Sequence, residues 1–164
     1  MLKLIGSFMI GGACVYLGFK RSMNMKKRLS SLKSIQNKLS LLESEIGFRG
    51  LDLKEAFINI DNSNGIFSDA ANYIEEEGIK KAWNNSVKKH CSKCCFTEGD
   101  VDTLLMLGQR LGMTDTENQI KHINGIKNIL DIHIKAAQYD VEHFGRLYSG
   151  GGVLTGIFLI LILL

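Results

Sequence analysis

The chain of 164 residues contains no proline. No helix is therefore forced to break by a missing N–H and a ring clash, and helices can run long. Apolar–polar alternation of useful length is also missing, which excludes a sheet protein. No Gly-rich loop carries a P-loop lysine, and no G-x-S-x-G elbow is present. Those absences remove the common nucleotide-binding and acyl-transfer motifs. Acids, histidines and cysteines are scattered along helical stretches and form no catalytic constellation. The reading is an all-α chain that is not an enzyme and holds no cofactor.

Charge is scarce at both ends. Met1–Phe19 is uncharged apart from Lys3, and Leu147–Leu164 carries no charge at all. Eighteen residues at 1.5 Å each span roughly 27 Å, close to the hydrocarbon thickness of a bilayer. Ile157–Leu164 has no polar face, which a core helix of a small domain would show. Both runs are read as transmembrane helices, 1–19 and 147–164, around a cytosolic helical domain of residues 20–146. A secretory signal peptide is disfavoured, because basic residues rather than an A-x-A site follow the first run. Lys20, Arg21, Lys26, Lys27, Arg28, Lys33 and Lys38 follow it with no acid among them, and Arg146 precedes the second run. Basic residues beside a span stay cytosolic, so a hairpin is expected, with both termini on the far side. The same collar suits anionic lipid at about 1 kcal/mol per basic residue. It lacks the interleaved aromatics of a nucleic-acid surface. Ser7, Gly11, Cys14 and Gly18 share one face, and Gly152 and Gly156 form a G-x-x-x-G. Such small residues let membrane helices pack closely, with each other or with a partner's helix.

Two long stripes lie between the ends. Leu32, Ile35, Leu39, Leu42 and Ile46 recur at spacings of three and four, and Gly47 and Gly50 are expected to end that helix. Ile120, Ile123, Lys127, Leu130, Ile134, Ala137, Val141, Phe144 and Tyr148 repeat the pattern, broken only by Lys127. Thr114 and Glu117 have the spacing of a capping box at its start, and Asp115 and Glu117 suit the positive end of the helix dipole. The expected architecture is an antiparallel pair of long helices continuing into the two spans. About four short amphipathic helices form a head, since none is stable alone.

Few residues invite chemistry. "HCSKCCF" places His90 beside Cys91, Cys94 and Cys95, ligand types for zinc. A structural site needs a second pair at a distance, and no second Cys pair exists. His122, His133 and His143 show no ligand spacing, and no metal ligand set is assigned. Glu75, Glu76 and Glu77 read as a solvated helix end or a docking patch for a basic partner. Glu43 and Glu45 lie off the first stripe, free to pair with Arg110 or a lysine, or to meet a partner.

"LGQRLGMTDTENQIKHI", Leu107–Ile123, carries a resemblance. Two Leu-Gly pairs precede Asp115 and Gln119. Gly108 permits close helix approach, and Gly112 is expected to end a helix as a left-handed cap. "MLKLIG", "LLESEIGF" at Leu41–Phe48, "LKEAF" at Leu53–Phe57 and the apolar tail fit the same pattern. From first residue to last, the chain resembles the stage III sporulation protein AB family of endospore-forming Firmicutes. The resemblance implies a mother-cell membrane protein facing the forespore, part of a secretion-like channel complex. Its central domain would be similar to the inner-membrane platform domain of type II secretion and type IV pilus systems. Implied partners are a cytosolic secretion-type ATPase and other membrane subunits of the complex; beside them, membrane lipid is expected from the basic collar, and a homo-oligomer is a further expected partner. The implied structural or partner motif is Glu43, Glu45, Leu107, Gly108, Arg110, Leu111, Gly112, Thr114, Asp115 and Gln119. Two rivals stand beside it: a general secretion or pilus platform protein, and a membrane-anchored thiol or metal sensor built on Cys91–Cys95.

Overall fold

The computed structural model describes residues 2–49, 52–61, 64–113 and 115–163, without the side chains of residues 2–5, 7, 8, 10, 48, 49, 146, 149, 159, 160, 162 and 163. Among the described residues there are helices and turns and no strand. Helix α1 spans Leu2–Ser44 and passes into a π-helical turn, Glu45–Arg49. Four shorter helices follow: α2 Leu53–Ile60, α3 Ile66–Glu77, α4 Ile79–Cys94 and α5 Glu98–Gly108. Helix α6 runs from Thr116 to Leu163. The described chain divides into two compact units. One contains Ser31–Ile134, and the other contains Met1–Ser30 with Lys135–Leu164.

The Ser31–Ile134 unit is a helical head. The first stripe is its spine: Leu32, Leu39 and Leu42 are fully buried, and Ile35 and Ile46 nearly so. Ile123, Leu130 and Ile134 of α6 are buried too. Ile126 joins them although it lies off the expected stripe, because α6 also lines up against α5 here and needs a wider apolar face. The two helices are antiparallel. Gln36 donates to the Lys127 carbonyl at 3.4 Å, while in the π-helical turn that follows α1 Gly47 lies against the Ile120 side chain. Lys127, the polar interruption in the second stripe, bonds to Glu43 at 2.9 Å. Glu43 also accepts from Asn124 at 2.8 Å. Bonds from Lys127 and then Asn124 hold the Glu43 carboxyl below the usual carboxylate range.

An aromatic cluster joins the short helices. Phe57 of α2, Phe67 of α3 and Trp83 of α4 are fully buried, with ring centroids 5.0–5.6 Å apart. The Trp83 indole N–H donates to the Leu104 carbonyl of α5 at 2.6 Å, as a buried indole must find an acceptor. Its ring lies directly on Gly108, where any Cβ would overlap it. Ser86 donates to the Ile66 carbonyl at 2.6 Å, closing α3 onto α4.

Several turns depart from the expected ones. Helix α5 ends at Gly108, four residues before Gly112. Gln109 and Arg110 then donate back to Met106 and Leu107 in i→i−3 bonds that tighten the last turn. Gly112 is left-handed, φ +73°, but sits in a separate turn closed by Met113 N–H to the Arg110 carbonyl. Thr114, half of the expected capping box, lies outside the described residues, as does Gly50. Glu117 bonds forward to Lys121 at 2.7 Å. Asp115 supplies the cap, accepting the Asn118 N–H at 3.3 Å. A reciprocal capping box occurs one helix earlier, between Thr97 and Asp100.

In the other unit α1 and α6 are again antiparallel, and glycine sets their contact. Gly11 and Gly156 are buried, and a Cβ on Gly156 would lie 2.9 Å from the Gly11 carbonyl. A Cβ on Gly152 would lie 3.0 Å from the Cys14 carbonyl, and one on Gly18 would run into the Tyr148 carbonyl. Gly145 faces Ser22. Because these small residues form the contact, Phe144 and Tyr148 are exposed, contrary to their place in the expected stripe. Ser7 has no described side chain, so its place in this face lies outside the description. Among the described residues no helix is long and apolar enough to cross a membrane, and the two transmembrane helices expected at 1–19 and 147–164 are not borne out. Glycines dilute the described part of each run, and the greasiest side chains, including Leu159 and Ile160, are not among those described.

Candidate functional site

The Leu-Gly segment is divided between core and surface. Leu107 and Leu111 are buried, and Gly108 accommodates Trp83. Between them, Gln109 and Arg110 point outward and are exposed. The tightened end of α5 and the first turns of α6 enclose an open groove of about 560 Å³. Met106, Ile126 and Ile129 give it an apolar floor, and Gln109, Arg110, Asn118, Lys121 and His122 surround that floor. The His122 ring Nε2 lies 3.2 Å and 3.3 Å from the Met106 and Leu107 carbonyls, so its N–H can donate to the end of α5. Gly125 completes the wall, with nothing within 4 Å of where its Cβ would stand.

The other expected site residues lie elsewhere in the head. Glu43 is committed to Lys127 and Asn124 rather than to Arg110. Glu45 is half-buried in the π-helical turn. Asp115 caps α6, with bonds from Asn118 holding its carboxyl below the usual range. Gln119 is half-buried on the first turn of that helix. Gly112 is exposed and meets Leu53 of α2.

Gly112→Val is expected to destabilise the chain by about 1 kcal/mol or more, because a left-handed φ costs that much for a residue with a Cβ. The new Cβ would also lie 3.0 Å from the Leu53 side chain. Gln109→Ala, exposed in the turn that ends α5, should leave the melting temperature nearly unchanged. Equal melting of Gly112→Val and the parent would show that the turn tolerates a side chain.

Polar pairs that local sequence did not reveal organise the rest of the head. Asp100 is fully buried. It accepts the Thr97 N–H at 2.9 Å and lies 2.7 Å from His133 Nδ1, tying the start of α5 to α6. Asp61 is buried against Lys38 at 2.6 Å. His90, beside the cysteines in sequence, is buried with Nε2 2.6 Å from Asp69, which also bonds Lys89 at 2.8 Å. Burial raises the Asp69 carboxyl, but the bonds from Lys89 and His90 outweigh it and hold it low. Helical spacing offers no signal for the Asp100–His133, Asp61–Lys38 and Asp69–His90 pairs, since their members lie in different elements. Cys91, Cys94 and Cys95 are half-buried at the end of α4 and are not joined in a disulfide. Cys95 takes the left-handed position, φ 58°, and Phe96 N–H closes back on the Cys91 carbonyl, a helix-ending geometry rather than a ligand set. Among the described residues no group of three His, Cys, Asp or Glu side chains could hold a metal ion.

A family model described as Stage III sporulation protein AB matches residues 3–164. Stage III sporulation protein AB of Bacillus subtilis (strain 168) is 26% identical over 175 residues, covering all of both chains. A solved structure of stage III sporulation protein AB is similar with a TM-score of 0.64 and 23% identity, over 70% of this chain and 96% of that one. That likeness speaks for the all-helical fold, and the match of the family model along almost the whole length speaks for descent: the chain belongs to the stage III sporulation protein AB family.

Proposed function

We propose that the chain is a non-enzymatic membrane platform subunit of a secretion-like channel complex between mother cell and forespore. Its termini anchor it in the mother-cell membrane facing the forespore, and its cytosolic head docks a secretion-type ATPase and other subunits. Family membership supports the sporulation setting. The observation that carries the membrane reading is the inverted packing of the Met1–Ser30 and Lys135–Leu164 unit. Its helix contact is made of glycine, while Leu17, Phe19, Leu154, Phe158 and Leu161 are about 60–70% exposed. In water such a pair would leave its apolar surface unburied, whereas in lipid close small-residue contact is the favoured mode. Charge favours the same reading. That unit holds eight basic residues and two acidic ones, against twelve and fifteen in the head.

A reporter fused after Leu164 should report the far side of the membrane, and one inserted near Asn62 the cytosol. The reverse pattern would sink the hairpin. Co-purification of the ATPase with the full chain from sporulating cells tests the docking. The thiol or metal sensor is the weaker reading, since the Cys95 backbone serves the end of α4, and metal analysis of the purified chain separates it.

A further inference from the structure

The groove and the end of α3 are complementary in charge. Gly125 lies in the interior of α6, where glycine weakens a helix relative to alanine. Among the described residues, nothing beyond its own helix turn lies within 4 Å of where its Cβ would stand, and its φ is not in the left-handed region. Its missing side chain keeps open a space that the described residues do not fill. Around that space are the Arg110 guanidinium, the Lys121 ammonium and the apolar Ile126, with no acid in the lining. Lys121 is bonded to Glu117, an exposed i,i+4 pair of the kind that contributes little and is readily exchanged.

Helix α3 ends in Glu75, Glu76 and Glu77 with no basic residue in its last turn. Carboxylates at that end oppose the helix dipole. Glu75 pairs with Lys54, and Glu77 accepts from Asn85. Tyr73, Glu76 and Glu77 follow the i, i+3, i+4 spacing of one helix face, and all three are exposed. We infer that the groove receives the acidic end of α3 from a second copy of this chain. Tyr73 then lies over Gly125 against the apolar floor, and Glu76 and Glu77 reach Arg110 and Lys121. The two surfaces are different patches, so the contact is head-to-tail. It repeats from copy to copy, either closing into a ring or continuing. This goes beyond the platform reading and does not depend on the ATPase.

The test uses the full chain in detergent, followed by sedimentation velocity over a range of concentrations. The parent should form assemblies larger than dimers as concentration rises. Gly125→Leu fills the groove, and Glu76→Lys with Glu77→Lys reverses the charge of the α3 end. Each should weaken self-association at least tenfold. Gly125→Leu faces open space and gains helix propensity, so its melting temperature should not fall. An equimolar mixture of the two variants has one intact groove and one intact α3 end, and should form heterodimers and nothing larger. A second pair, Arg110→Glu with Glu76→Lys in one chain, should recover association that Arg110→Glu alone loses. A parent that stays monomeric, variants that associate like the parent, or a mixture that forms no heterodimer would each overturn the inference.

Discussion

Trp83→Ala is expected to cost about 3–5 kcal/mol, the range for deleting a large buried aromatic side chain, and to unfold much of the head at growth temperature. Trp83 is fully buried between Phe57 and Phe67, with edge-on or tilted contacts to both rings. Truncation removes those contacts and leaves a cavity. It also leaves the Leu104 carbonyl without the 2.6 Å indole bond, adding the desolvation penalty of an unpaired buried acceptor. Gly108→Ala should be harmful for the opposite reason, because its Cβ overlaps the indole ring. The two changes touch one site and should not add: in Trp83→Ala the space for the Gly108 side chain already exists. Denaturant unfolding of the four chains in detergent, with counts of heat-resistant spores, checks this. A loss under about 1 kcal/mol for Trp83→Ala would mean that the cluster does not hold α2–α5 together.

The second large effect is expected at the paired stripes. Leu39→Asp and Leu130→Asp should each lower stability by several kcal/mol, because each places an unpaired carboxylate where water is absent. Both leucines are fully buried, and the facing surfaces are apolar. The charged pair beside them, Glu43 with Lys127, is partly open to solvent and is too well occupied to compensate a new carboxylate. Replacement by asparagine should be milder than by aspartate. If either aspartate variant keeps the parent's melting temperature, the stripes of α1 and α6 do not pack on each other.

Periodicity located the elements because it is a local property. Leu32, Ile35, Leu39, Leu42 and Ile46 repeat at helical spacing, and that repeat alone identifies a buried face. The same rule failed near Phe144 and Tyr148. There the helix contact is made by glycines, and hydropathy does not mark a glycine as facing inward. The Leu-Gly segment was legible as a turn, but its parts were misplaced. Gly108 lies against Trp83, twenty-five residues away in sequence, and no local rule includes that contact.

The sequence by itself determined that the chain is helical, that its apolar ends differ from its middle, and that two long helices carry matching stripes. Each of those follows from spacing, from missing proline and from charge distribution along one strand of text. Only the tertiary structure decided that Asp100 meets His133, that Asp61 meets Lys38, and that Arg110, Lys121 and Gly125 surround one groove. Such meetings depend on how helices cross in space. The free energy that selects one crossing over another comes from the fit of side chains on different elements, which the order of residues along any single helix does not contain.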